Sequence, residues 1–263
     1  MARLRKAPRW LEAARQRTSS DASDWLARAL SRAGVLPFGD AEAAVEAGRV
    51  SVDGRVITSP MAAVTAASRV VVDGRAVDVR RTTRVLMFHK PAGVVTAGSD
   101  AHGEGTVFEA LSRVLPPALA GYGWHAVGRL DRDTTGLLLF TNDERFVAHA
   151  TRPETHLPKR YVARVGAKVT DEKLARLRAG VEVEHGVTSR PAEATARASD
   201  VVELVLTEGR YHQVKRMLNA VGLPTLALHR EAVGGLVLDV AEGAVREVTP
   251  EEVRAALAYE PRG

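Results

Sequence analysis

Val127-Gly128-Arg129-Leu130-Asp131-Arg132-Asp133-Thr134-Thr135-Gly136-Leu137-Leu138-Leu139-Phe140-Thr141-Asn142-Asp143 is the most informative stretch of this chain. A polar loop with two carboxylates and two arginines runs straight into an apolar segment, Gly136 to Thr141, that reads as a strand. The loop then sits at the rim of a rigid element, where a functional side chain is held best. Flanking arginines favour the ionised form of a carboxylate. Without metal, an ionised carboxylate serves as nucleophile or base toward an electrophilic sugar carbon. The same residues also read as an aspartate turn closed by an arginine salt bridge.

Around this strand, further strands are expected at Val85 to Phe88, Tyr161 to Val165 and Val201 to Thr207. Thr106-x-x-Glu109 and Thr249-Pro250-Glu251-Glu252 are capping boxes, and Thr170 caps a helix that stops at Gly180. Val214, Met217, Leu218 and Val221 fall on one helical stripe that Gly222 and Pro224 end. Strands and helices without strict βαβ alternation predict an α+β domain. Tyr161 opens its strand with Ala163 and Val165 on its own face, which by itself describes a core tyrosine.

The chain has 263 residues, 45% hydrophobic and 26% charged, a balance that excludes wholesale disorder and a collagen-like fibre. No apolar run approaches the roughly 20 residues that span a bilayer, so no membrane partner is expected. Without cysteine there is no disulfide, no thiolate nucleophile and no cysteine-based zinc or iron–sulfur site. The net charge is +5, and of 37 basic residues only six are lysines. An arginine-rich surface favours nucleic acid among polyanions. Asp131-x-Asp133 offers a seat for a divalent cation, but Arg129 and Arg132 beside it would repel the metal. The eight histidines lack His-Glu-x-x-His spacing.

Residues 1–21 are expected to form a basic tail, whose first twenty residues carry Arg3, Arg5, Lys6, Arg9, Arg15 and Arg17 against Glu12 alone, and a cytoplasmic location is expected. From Ser23 a helix is predicted with Trp25, Leu26 and Leu30 on one stripe, then a second over Ala41 to Ala47. Two hairpins follow, turning at Asp53-Gly54 and Asp73-Gly74. Gly48-Arg49-Val50-Ser51-Val52-Asp53-Gly54 after a helix pair resembles the S4 RNA-binding domain. The resemblance implies an S4-like domain over 22–79 and a linker over 80–84. Asp40 and Glu42 make the second helix acidic, so Arg28, Arg32, Arg49 and Arg55 are left to supply its positive surface.

Gly128-Arg129-Leu130-Asp131-x-x-Thr134-x-Gly136-Leu137-Leu138-Leu139 resembles the active-site signature of pseudouridine synthases. His89-Lys90-Pro91-Ala92-Gly93 is similar to that family's Lys-Pro-x-Gly loop, and Lys159-Arg160-Tyr161 to its Lys-x-Tyr motif. Glu208-Gly209-Arg210-Tyr211-His212-Gln213-Val214-Lys215-Arg216-Met217 is similar to the motif that holds the basic partner of the catalytic aspartate. With the S4-like front, the chain resembles the RsuA/RluB/RluE/RluF group of rRNA pseudouridine synthases. The resemblance implies a catalytic domain over 85–263 with a mixed, mainly antiparallel sheet. It makes Asp131 the catalytic residue, acting on the ribose by attack at C1′ or by removal of a C2′ proton. Lys215 pairs with it, Tyr161 lies beside the uracil, and Arg129 fills the gap left by the flipped base. Lys90, Arg210, Gln213, Arg216, Arg49 and Arg55 are the implied RNA contacts. The C5 general base stays unassigned. No cofactor or metal is implied, and the expected partner is ribosomal RNA, small-subunit by the 209–217 and 229–231 segments, bound by a monomer. The alternatives are a large-subunit rRNA enzyme of the same group and a non-catalytic RNA-binding protein.

Overall fold

The computed structural model describes residues 24–80, 82–98, 103, 105–184 and 186–261; the basic tail 1–21 lies outside the described residues. The chain divides into two compact units, one running to Thr82 and taking in residues 118–123, the other formed by the rest.

In the first unit, helices α1 (Leu26–Arg32) and α2 (Phe38–Glu46) cover a four-stranded antiparallel sheet. Its strands are β1 (Val50–Val52), β2 (Arg55–Ile57), β3 (Val70–Val72) and β4 (Arg75–Val77), in spatial order β2-β1-β3-β4. Asp53-Gly54 and Asp73-Gly74 each place two successive residues at positive φ, the conformation that matches the twist of a tight hairpin. Leu26, Leu30, Ala41, Val45, Val50 and Val70 close the core. Trp25 departs from the expected helical stripe. It lies just before α1 in an extended two-residue strand with Ala63 and is half exposed, because Leu26, Ala27 and Leu30 already fill the inner face. The Arg28 guanidinium covers its ring at 4.9 Å. The helix pair with short strands is compatible with an S4-like domain.

The second unit is built on a nine-stranded sheet. Its long strands are β5 (Val85–Lys90), β6 (Thr134–Thr141), β7 (Lys159–Val165), β8 (Glu193–Ala198), β9 (Val201–Leu206), β10 (Thr225–Val233) and β11 (Val245–Val248). They lie in the order β8-β9-β7-β10-β6-β5-β11, and only the β6–β10 pair is parallel. The sheet is therefore mixed and mainly antiparallel. Among the described residues five α-helices join it: α3 (Val107–Val114), α4 (Glu144–Thr151), α5 (Asp171–Ala179), α6 (Gln213–Ala220) and α7 (Pro250–Leu257). Thr106 with Glu109 and Thr249 with Glu252 form reciprocal capping boxes at α3 and α7.

Side chains alternate across the sheet, so Tyr161, Ala163 and Val165 share a face with their partners Arg230 and Leu228, and with Thr134 and Gly136 opposite those. Leu174 and Leu177 of α5 and Val214, Met217 and Leu218 of α6 pack on that face. Leu137, Leu139, Val85 and Met87 point the other way, onto Phe146 of α4 and Val253 and Leu257 of α7. At Gly136 the two parallel strands come so close that a β-carbon would sit 2.3 Å from the Arg230 carbonyl oxygen, and φ is +110°. Only glycine fits there.

Candidate active site

Asp131 lies three residues ahead of β6, where β6 begins its short parallel pairing with β10. Its loop is tied down from the segment after β5. The Lys90 ammonium donates to the carbonyls of Pro91, Arg132 and Thr134 at 2.8, 3.1 and 2.9 Å. The Gly93 N–H donates to the Arg132 carbonyl at 2.9 Å, and the Thr96 hydroxyl to the Leu130 carbonyl at 2.9 Å. Lys90, Gly93 and Thr96 thus hold the backbone from Leu130 to Thr134, from which the aspartate projects.

The side chain of Asp131 is 27% exposed and lines a cleft with Arg129, Thr134, Tyr161, His212 and Lys215. Lys215 arrives from the first turn of α6, whose apolar stripe docks the helix on the sheet. Its Nζ lies 3.2 Å from Asp131 Oδ2 and 2.5 Å from Asp133 Oδ1. Burial works against the Lys215 ammonium, but its bonds to Asp133 and Asp131 hold its pKa above the ordinary lysine value. The bond to Lys215 in turn holds Asp133 below the usual carboxylate range. The cation occupies the space between the two carboxylates. His212 brings its Nε2 to 3.3 Å from the other oxygen of Asp131.

Tyr161 forms one wall of the cleft, partly buried against the α5–α6 core. The Arg230 guanidinium reaches its hydroxyl at 3.5 Å and donates from Nε to the Leu137 carbonyl at 2.7 Å. Arg230 is itself buried, a charge beneath the cleft floor. Burial, and then the charge of Arg230, push Lys159 down to about 8. Thr134 Oγ1 is buried against the cleft with no hydrogen-bond partner among the described residues. Arg129 is exposed at the rim and makes no hydrogen bond or ion pair with a described residue.

Two of the expected RNA contacts are corrected. Lys90 is fully enclosed, because as the last residue of β5 it shares the inner face with Leu86 and Phe88, and its three carbonyl acceptors hold it there. Its ammonium braces the Asp131 loop and cannot meet a phosphate. Burial pushes it down to about 8, with Asp133 and Asp131 pulling the other way. Gln213 is also buried. It accepts from the Arg210 N–H at 2.8 Å and donates to Glu208, which locks the turn ahead of α6. Arg210 is half exposed with Nε 3.5 Å from Glu208. Arg216 turns away from Asp131 toward Glu184, at 3.4 Å, and covers the Tyr211 ring. In the first unit Arg49 is matched bidentately by Asp73, at 2.8 and 2.5 Å, whereas Arg55 is exposed and unpaired among the described residues.

His212 and Arg230 carry no expected role in the site, although both lie in segments that bear the family resemblance. The histidine is quoted inside the motif, yet only backbone conformation brings it to the aspartate. For Arg230 a signal existed: an arginine between Leu228 and Ala232, at the inward positions of a strand.

The model of the RNA pseudouridylate synthase family matches residues 84–220. The chain is 35% identical over 235 residues to the uncharacterized RNA pseudouridine synthase YtzG of Bacillus subtilis, covering 87% of this chain and 96% of that protein. It is 34% identical over 245 residues to the ribosomal large subunit pseudouridine synthase B of Bacillus subtilis, covering 90% and 97%. The enzyme of that name from Escherichia coli K12 is 35% identical over 224 residues, covering 82% and 75%. Among solved structures, the crystal structure of a pseudouridylate synthase superposes with a TM-score of 0.61 at 28% identity, over 88% of this chain and 99% of that one. A carboxylate braced at a strand's rim, paired with a lysine and faced by a tyrosine thus stands in a chain that belongs to the RNA pseudouridylate synthase family, in its RsuA-type branch, and is an RNA pseudouridine synthase.

Proposed function

We propose that the chain isomerises a uridine of ribosomal RNA to pseudouridine, with Asp131 as the catalytic carboxylate. The observation that carries this is Asp131 in the cleft, its Oδ2 3.2 Å from Lys215 Nζ, with Tyr161 on the wall beside it. In the reaction the N1–C1′ bond breaks, C5 joins C1′, the C5 proton leaves to a general base and N1 takes up a proton. Bonds are exchanged within one nucleotide, so the balance needs no redox partner or group carrier. Asp131 acts on the ribose, by attack at C1′ or by taking a C2′ proton. Lys215 orients the carboxylate. Tyr161 stacks on the freed uracil and limits its motion to a turn in place. The uridine must first leave its stack, at a few kcal/mol offset by phosphate and aromatic contacts. Arg129, exposed beside Asp131, fills the vacated position. Exposed Arg210 contacts the RNA, as does exposed Arg55 in an S4-like domain over 22–79. The proposed place of action is the cytoplasm.

The names of the large-subunit relatives favour a uridine of the large-subunit rRNA. Gly209–Met217 and His229-Arg230-Glu231 favour the small subunit by resemblance. Mapping pseudouridine in both rRNAs from cells with and without this gene separates the two, since one site should vanish from one subunit. Restoring the gene with Asp131→Asn should leave that site unmodified although the protein still binds the RNA. Full modification by that variant refutes the role of Asp131.

A further inference from the structure

His212 Nε2 lies 3.3 Å from Asp131 Oδ1, while Lys215 takes Oδ2. The histidine reaches this position through a left-handed backbone, φ 51° and ψ 29°, which residues with a β-carbon seldom adopt. Such a conformation persists only where its surroundings impose it. Here the Gln213 side chain ties the Arg210 N–H to Glu208, and the Arg216 N–H donates to the His212 carbonyl at 3.0 Å. The imidazole also lies flat on the Tyr211 ring, with centroids 3.8 Å apart and planes 21° apart. Backbone and ring plane together set the direction of Nε2. Lys215 alone cannot fix the carboxylate, because it sits closer to Asp133, at 2.5 Å, than to Asp131. A carboxylate held at one oxygen by a shared cation still rotates. A second donor on the other oxygen stops it.

The geometry points to His212 as a positioning residue of the isomerisation. Its Nε2, 3.3 Å from Asp131 Oδ1, is placed to become a hydrogen-bond donor to that oxygen as the substrate enters and to set the angle at which the carboxylate meets the ribose. The inference rests on the assignment of Asp131 above.

The test uses rRNA from cells lacking the gene as substrate for the full-length protein. His212→Gly removes the donor and relaxes the backbone, so the variant folds at least as well as the parent. Its kcat should fall about 10- to 100-fold, the worth of one charge-assisted hydrogen bond, with KM within about threefold. His212→Gln keeps an amide N–H close to the place of Nε2 and should recover most of the loss. A purely structural role would predict no such rescue and a shift in KM. The inference is overturned if the glycine variant keeps kcat within about twofold. It also falls if glutamine is no better than glycine and KM rises in both. Wild-type protein that makes no pseudouridine sinks the functional assignment instead; active wild type matched by the glycine variant sinks only the role of His212.

Discussion

At Lys90 a cation is enclosed by protein and faces three carbonyl oxygens, two of them in the loop that carries Asp131. Enclosing the charge costs free energy, which is why its pKa falls to about 8, yet at neutral pH the ammonium form still prevails. Lys90→Met removes that cost but strips a donor from all three carbonyls, at roughly 1–3 kcal/mol for each left unsatisfied. The second effect wins. The variant should lose about 2 kcal/mol of stability and most of its turnover, read by denaturant unfolding and by pseudouridine formation. A methionine variant as stable and active as the parent means that Gly93 and Thr96 hold the loop unaided. At Lys215 the effect is electrostatic: Lys215→Ala leaves Asp131 and Asp133 facing each other without a cation. Turnover should drop by about 10-fold or more while the fold persists, since the site is partly open to water. An unchanged kcat removes its pairing role.

Among the elements, α4 shows how a helix end organises the second unit. Asp143 caps it, accepting from the Arg145 N–H at 3.0 Å, and its other oxygen accepts from Thr83 at 2.8 Å, Arg145 at 2.9 Å and Tyr259 at 3.0 Å. One carboxylate thus joins the strand-leading segment before β5, α4 and the residues after α7. Burial would raise its pKa, but the bonds and charge of Arg145, helped by Thr83, hold it below the usual carboxylate range. The folded value lies below the unfolded one, so the stabilisation is present above the unfolded pKa of about 3.9 and is lost as pH falls through the folded value. Asp143→Asn should therefore cost about 2 kcal/mol at pH 7 and progressively less below pH 4. Unfolding curves of both proteins across pH 3 to 7 check this. A cost that stays constant with pH would assign the effect to cap geometry instead of charge.

For the whole molecule the surface charge decides how RNA is gripped. The net charge is +5, yet many of the arginines are tied to carboxylates, Arg49 to Asp73, Arg197 to Glu203 and Glu231, and Arg246 to Asp239 and Glu252. Under the proposed function the phosphate contacts then fall to exposed side chains such as Arg55, which has no carboxylate partner among the described residues. RNA affinity should fall steeply with added salt, with a slope of roughly 0.7–0.9 per phosphate neutralised. Replacing Arg55 by alanine should lower that slope by about one. A salt-independent affinity would rule out a phosphate grip.

The sequence by itself determined what repeats locally. Turn residues at Asp53-Gly54 and Asp73-Gly74, capping boxes at Thr106 and Thr249, and the stripe Val214, Met217, Leu218 and Val221 specify their elements through contacts between near neighbours. It also marked the charged loop holding Asp131 and Asp133 as a local contrast with the apolar strand, while the choice of Asp131 rested on resemblance to the pseudouridine synthase signature. What only the tertiary structure decided is which charges are spent inside. Lys90 and Gln213 look like RNA contacts in sequence and are internal braces, while His212 and Arg230, given no role in the site by the sequence, stand against Asp131 and Tyr161. The parallel seam between β6 and β10 sets this, joining residues nearly a hundred positions apart at a distance only Gly136 permits. Strand propensity is written along the chain; which strand becomes a neighbour is written in the packing, and the polarity of a buried site follows from the neighbour.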